Sequence, residues 1–275
     1  MNLPAIGFGT SPYRSGGRRI ELEQPVRFAL EAGYRLFDLA EMYGNERALG
    51  RALRSAAAPP RKELHLIGKV WRTNFRPDHL KRACEESLHR LGIDAFDIYL
   101  LHAPDALRHV APLEDPEAIG WPEFERRAAP LIADDVPLAE TWEAMRGLLS
   151  AGLTARIGTS NFTPQEIDAL GEPCPYANQV ASWPLHTATL QWHARHNVTL
   201  LGYSPLKREI VETPLIRTIA SAYARTPAQV TLRWLIQHDI RPVTSSSNPD
   251  HIRENLGALE FELDAREVSA ISAIR

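Results

Sequence analysis

The sequence predicts an α/β protein folded as a single (β/α)8 TIM barrel, on three observations. The chain has 275 residues, and one such barrel takes about 250. Short apolar runs alternate with helical patterns from end to end, the order that gives a parallel sheet. There are eight such runs, which favours closure over an open sheet. Two small domains are the alternative on length alone. No linker or low-complexity tract divides residues 1–275, so one domain is expected.

The elements read in order as follows. The first apolar run, Ala5–Gly9, carries no histidine pair for metal hydrolysis, and no Gly-rich Walker or dinucleotide fingerprint occurs, which argues against a Rossmann fold. The second run is Arg35–Asp38 and the third Leu64–Lys69. A helix follows from about Pro77, with Leu80, Ala83, Cys84, Leu88 and Leu91 recurring on one face. The fourth run is Ile98–His102. Ala103 to Pro137 then breaks the alternation, being long, acidic and punctuated by prolines. A connection of that length after a barrel strand emerges beside the mouth, as a lid or substrate loop; a tolerated surface insertion is the alternative. The fifth run, Ala155–Thr159, precedes Thr163-Pro164-Gln165-Glu166, a capping box with proline at the first helical position. Tyr176–Val180 and Val198–Tyr203 are the sixth and seventh. Thr226-Pro227-Ala228-Gln229 opens the helix before the eighth, Arg241–Ser245, and Asp264-Ala265-Arg266-Glu267 opens the last helix. Continuous apolar character suits parallel strands buried on both faces.

Bulk properties remove several functions. A net charge of −3 does not suit nonspecific nucleic-acid binding, which needs a basic face. No run of apolar residues is long enough for a membrane span. Met1–Thr10 lacks a basic region followed by an apolar core, so no signal peptide is expected. The two cysteines, Cys84 and Cys174, stand far apart in no metal-ligand spacing, which suits a reducing, cytoplasmic compartment.

Chemistry gathers where the runs end. The second ends at Asp38, with Tyr43 five residues on; the third ends at Lys69 and the fourth at His102. Asp, Lys and His from three neighbouring strands, with a nearby Tyr, form a proton-transfer set. A lysine ammonium beside the phenol would lower its pKa, Asp38 would keep a buried Lys69 charged, and His102 would orient a substrate oxygen. Tyr43 would then protonate a carbonyl oxygen as hydride reaches carbon. Taken singly, each of these residues has a structural reading: an ion pair, a core histidine, a loop cap.

The rest of the mouth suits a nucleotide. Ser160-Asn161 and Gln179 offer hydrogen bonds to an amide such as a nicotinamide carboxamide, and Tyr203 offers a flat face for stacking. Ser245-Ser246-Ser247-Asn248-Pro249 stands at a helix start, where amides and hydroxyls suit a phosphate; ordinary helix capping is the alternative there.

These residues resemble the aldo-keto reductases over nearly the whole chain. The matching stretches are Gly7-Phe8-Gly9-Thr10, Gly33-Tyr34-Arg35-Leu36-Phe37-Asp38, Tyr43-Gly44-Asn45-Glu46, Lys69-Val70-Trp71, Leu100-Leu101-His102, Ile157-Gly158-Thr159-Ser160-Asn161-Phe162, Asn178-Gln179-Val180, Tyr203-Ser204-Pro205-Leu206 and Glu254-Asn255. The resemblance implies carbonyl reduction with NADPH or NADH, and Asp38, Tyr43, Lys69 and His102 as the catalytic tetrad. It implies Ser160, Asn161, Gln179 and Tyr203 around the nicotinamide, Ser204 and Leu206 beside the cofactor, and Ser246, Glu254 and Asn255 at the adenosine end. The segment ending in Val136-Pro137-Leu138 looks like that of xylose-reductase-type members.

Three departures bear on specificity. The lysine and arginine that family members usually place on the 2′-phosphate read Ser245 and His251 here; with two cations gone, NADH use comparable to NADPH is expected, and Arg253 is a possible substitute. The segment after Leu206 is short, so Lys207 or Arg208 would supply charge to the pyrophosphate. The residue after His102, often aromatic in the family, is Ala103. With Trp71 retained, Met42, Tyr13 and Phe75 are expected as further walls. Few residues follow the last helix, so an open mouth is expected. The resemblance implies a small-molecule carbonyl substrate and a monomer. A tailoring reductase for one bulky substrate and a cofactor-binding regulatory subunit are the alternatives, and an intact tetrad disfavours the second.

Overall fold

A computed structural model describes residues 3–12, 21–55, 58–109, 133–184 and 186–274. Eight parallel strands close into a barrel in sequence order: β1 (Gly7–Gly9), β2 (Leu36–Asp38), β3 (His65–Val70), β4 (Ile98–Leu101), β5 (Ile157–Ser160), β6 (Ala177–Ala181), β7 (Thr199–Tyr203) and β8 (Ile240–Thr244). Closure is made by Gly7 and Phe8 of β1 lying beside Val243 and Thr244 of β8. All eight expected strands are present, their ends shifted by a residue or two.

Helices cover the outside: α1 (Glu23–Ala32), α2 (Glu46–Leu53), α3 (Pro77–Leu91), α4 (Leu138–Ser150), α5 (Pro164–Asp168), α6 (Thr187–Arg195), α7 (Arg208–Val211), α8 (Pro214–Ala222), α9 (Pro227–Gln237), α10 (Pro249–Leu256) and α11 (Ala265–Ser272). The three expected capping boxes are formed at Thr163/Glu166, Thr226/Gln229 and Asp264/Glu267, each satisfying N–H groups that a helix start leaves unbonded. The helix of Pro77–Leu91 buries Leu80, Ala83, Cys84, Leu88 and Leu91 as its spacing required. α1 stops at Gly33, whose φ of 111° suits glycine and whose N–H returns to the carbonyls of Ala29 and Leu30.

Strand periodicity sets the functional end. Leu36, Ile67, Ile98, Leu100, Ala177 and Leu201 come from strands on opposite sides of the ring yet form one buried cluster with Leu3, so they fill the barrel interior. Side chains alternate along a strand. The residue two places on therefore points inward as well, one layer nearer the C-terminal mouth. Those residues are Asp38, Lys69, His102, Gln179 and Tyr203. The other strand face packs on the helices, where Phe8, Phe37, Leu66, Val70, Tyr99 and Leu101 join Val26, Leu49, Leu80, Leu88 and Trp142.

Most of the expected 103–137 loop, and Tyr13, lie outside the described residues. The two ends of that loop are tied together. Leu107 and Ala133 form an antiparallel bridge, Asp134 N–H donates to the Ala106 carbonyl at 3.1 Å, and Arg76 pairs with Asp134 at 2.6 Å.

Candidate active site

Tyr43 closes a one-turn 3-10 helix, Glu41–Tyr43, that leaves the end of β2. The turn is anchored from below. The Asn45 amide donates to the Thr10 carbonyl at 2.8 Å, and the Thr10 hydroxyl donates to the Asp38 carbonyl at 2.9 Å. Behind it, buried Glu46 pairs with Arg90 of α3 at 2.6 Å. The sequence motif Tyr43-Gly44-Asn45-Glu46 is thus one hydroxyl held by two structural side chains.

At the barrel mouth Lys69 Nζ donates to Asp38 Oδ1 at 2.6 Å and to the Leu39 carbonyl at 2.9 Å, and both side chains are withdrawn from water. The Gln179 amide donates to the same Asp38 oxygen at 2.7 Å. Burial lowers the Lys69 pKa, and the Asp38 charge and hydrogen bond oppose that shift. Lys69 Nζ lies 5.3 Å from the centre of the Tyr43 ring. The His102 and Tyr43 rings meet edge-on at 6.2 Å, and Trp71 meets His102 edge-on at 4.9 Å.

The electrostatics depart from expectation at Tyr43. Its pKa is raised well above the ordinary phenol value, first by burial and then by the Asp38 charge and Tyr203. Burial withdraws the phenol from water and disfavours its charged form, and the Asp38 charge adds to that effect. Tyr43 therefore keeps its proton at neutral pH. The His102 pKa is pushed well below its usual value by burial and by the charges of Lys69 and Arg72, so its imidazole is neutral.

A cavity of about 770 Å³ opens over these groups, lined by Asp38, Tyr43 and His102 and then by Ser160, Asn161, Gln179, Tyr203, Ser204, Leu206, Lys207 and Ser245. This is within the usual range for a small-molecule or cofactor site. Asn161 is a junction. Its amide donates to the His102 carbonyl at 3.0 Å and to the Ser160 hydroxyl at 3.1 Å, and its oxygen accepts the Tyr203 hydroxyl at 3.0 Å. Asn161 and Ser204 hold φ of 64° and 49°, a region that costs a non-glycine residue about 1–2 kcal/mol. Such conformations cluster where a ligand is handled.

Of the remaining expected site residues, Lys207 and Arg208 line this cavity and the others are placed elsewhere. Trp71, Met42 and Ala103 lie outside the lining of this cavity. Phe75 is 1% exposed within the helix–strand core. Ser246 and His251 are beyond the lining, at the start of α10, with His251 exposed. Glu254 accepts the Thr226 hydroxyl at 2.7 Å, and Asn255 is buried against Tyr34. Arg253 is exposed and pairs with Asp250 at 3.4 Å. Lys207 donates to the Trp183 carbonyl at 3.3 Å, and Arg208 pairs with Glu212 at 3.0 Å.

Sequence reasoning missed Gly9, Ser11 and Thr244, which line the cavity from β1 and β8, and Glu41, a carboxyl inside the Tyr43 turn. The signal for Gly9, Ser11 and Thr244 was their position at or just beyond strand ends, the same one that pointed to Asp38.

A family model described as "Aldo/keto reductase family" matches residues 5–275. The chain is 33% identical over 294 residues to dihydrodiol dehydrogenase 3 of Bos taurus, covering 99% of this chain and 88% of that protein. It is 37% identical over 278 residues to an aldo-keto reductase of Mycobacterium avium, covering 99% and 86%. The solved aldose reductase of Schistosoma japonicum superposes with a TM-score of 0.86 at 30% identity, over 99% of this chain and 88% of that one.

Proposed function

From the premise that this chain belongs to the aldo/keto reductase family, and is an NAD(P)H-dependent oxidoreductase of small carbonyl compounds, we propose that Tyr43 protonates the carbonyl oxygen. The observation that carries this is its setting: a phenol on the cavity wall, edge-on to His102 and with its ring centre 5.3 Å from the Lys69 ammonium. Bound reduced nicotinamide supplies the hydride. The chain's residues do the rest. Asp38 holds Lys69 by their ion pair. Lys69 stabilises the phenolate left after proton transfer, and neutral His102 hydrogen-bonds the substrate oxygen.

The cavity suits the cofactor. Ser160, Asn161 and Gln179 bring amide and hydroxyl groups to one wall, and Tyr203 offers a partly exposed ring for stacking. Lys207 and Arg208 line the same cavity, and we assign them to the pyrophosphate for the positive charge they would supply. Ser246, Glu254 and Asn255 are assigned to the adenosine end by resemblance. Ser245 and His251 replace the 2′-phosphate cations, so NADH is used comparably with NADPH. Substrate walls are assigned to Trp71, which packs on His102, and to Met42 and Ala103 on the loops around the mouth. The protein acts as a cytoplasmic monomer; among the described residues no helix is long and apolar enough to cross a membrane.

The test is oxidation of NADPH and NADH against a panel of aldehydes and ketones, for wild type and Tyr43→Phe. Turnover should fall about 10²–10⁴-fold in the variant, with cofactor binding, read by fluorescence, unchanged. A variant within a few-fold of wild type would remove Tyr43 as the donor.

A further inference from the structure

Glu41 is a carboxylate that the mechanism above leaves without a task. It opens the turn that Tyr43 closes. Its side chain reaches across to the loop after β3. Trp71 N–H donates to Oε2 at 2.9 Å, and the Asn74 amide donates to Oε1 at 2.6 Å. Trp71 abuts His102, and His102 abuts Tyr43. The carboxylate therefore closes a ring of contacts that runs from the Tyr43 turn through Trp71 and His102 back to Tyr43.

The charges facing Glu41 are Glu46 of α2 and Glu86 and Arg90 of α3. Arg90 is held by Glu46 at 2.6 Å and Glu86 at 3.5 Å, and among the described residues no cation pairs with Glu41. On the far side of Asn74, His109 Nδ1 lies 3.0 Å from the side-chain oxygen, with the His79 ring 3.7 Å from the His109 ring. Glu41 is thus a partly buried carboxylate satisfied by two neutral donors.

We propose that Glu41 is a positioning residue, whose carboxylate locks the turn bearing Tyr43 to the Trp71–His102 wall and whose protonation releases one of the two ties. This rests on the reading of Tyr43 as proton donor. The physical reason lies in counting acceptors. Two N–H donors need two acceptor oxygens, which only the ionised carboxyl offers in full; a proton on either oxygen leaves one donor facing a hydroxyl. Burial, opposed by the Trp71 hydrogen bond and supported by Glu46, raises this carboxyl from 4.5 to about 7. The lock is complete above that pH and loosens below it.

Glu41→Gln copies the loosened state at every pH, since its amide nitrogen faces a donor. The experiment measures kcat and KM against pH through the neutral range, with nucleotide dissociation constants by protein fluorescence. Wild-type kcat should fall on the acid side with a midpoint near 7. Glu41→Gln should show no such limb and a kcat about tenfold below the wild-type plateau, misplacement of a reacting group by a fraction of an ångström being sufficient for that. Nucleotide binding should be unchanged, because Glu41 does not line the cavity. Glu41→Asp, which keeps two acceptors, should restore an acid limb. Asn74→Ala removes one tie without touching the carboxyl and should lower kcat alone, a second route if Glu41→Gln fails to fold. A Glu41→Gln protein with wild-type kcat and an intact acid limb overturns the proposal. If Tyr43→Phe is inactive in that same assay, only the Glu41 reading has failed; if Tyr43→Phe stays active, the donor reading has failed first.

Discussion

The Asp38–Lys69 pair offers the sharpest stability test. The two side chains are 4% and 0% exposed and their charged atoms lie 2.6 Å apart. Asp38→Leu leaves the ammonium with the Leu39 carbonyl alone. Lys69→Met leaves the carboxylate with the Gln179 amide. Removing one partner of a buried pair costs about 3–5 kcal/mol, whereas replacing both with apolar groups of similar volume is often neutral. For a chain of 275 residues the unfolding entropy is about 0.6 kcal/mol/K, so each single substitution should lower Tm by roughly 5–9 °C. Asp38→Leu with Lys69→Met should recover most of that loss. Thermal unfolding by circular dichroism at neutral pH, on wild type, both singles and the double, gives the coupling directly. A double-variant loss equal to the sum of the singles would mean that the pair is not coupled, and would refute Asp38 as the group that holds Lys69.

Two further outcomes follow from the site. Ser245→Lys with His251→Arg should tighten NADPH over NADH by about tenfold or more, charge-assisted bonds to a phosphate being worth roughly 1.5–3 kcal/mol; unchanged kcat/KM ratios would show that the 2′-position is read elsewhere. Phe75→Ala should cost about 3–5 kcal/mol of stability, as for a core phenylalanine, with KM for the carbonyl little changed; a KM rise with normal Tm would return Phe75 to the substrate wall.

What the sequence made legible depended on which contacts follow chain periodicity. Asp38, Lys69 and His102 end apolar runs, and alternation along a strand aims them at one mouth whatever the loops do. Thr163, Thr226 and Asp264 announce helix starts because the capping bond is local, three residues long. Phe75 was not legible in this way. It follows the 3-10 turn Arg72–Asn74, and that turn decides whether an aromatic side chain faces a cavity or the core; hydrophobicity is the same for both. The direction of the Tyr43 pKa shift was not legible because it is set first by burial, which the sequence does not show, with the Asp38 charge adding to it. Glu41 stayed hidden because one of its partners is a backbone N–H, which has no letter in a sequence.

Closure of the ring has a consequence in time. β1 meets β8 through Gly7 and Phe8 beside Val243 and Thr244, so 236 residues separate Phe8 from its last neighbour. At a ribosomal rate of about 5–20 residues per second, that partner arrives roughly 12–47 s after Phe8 is made. Until then β1 has one flank without a strand, and an unpaired strand edge recruits other chains. The first strand made is therefore the one whose edge stays open longest, and the last strand synthesised is the one that covers it.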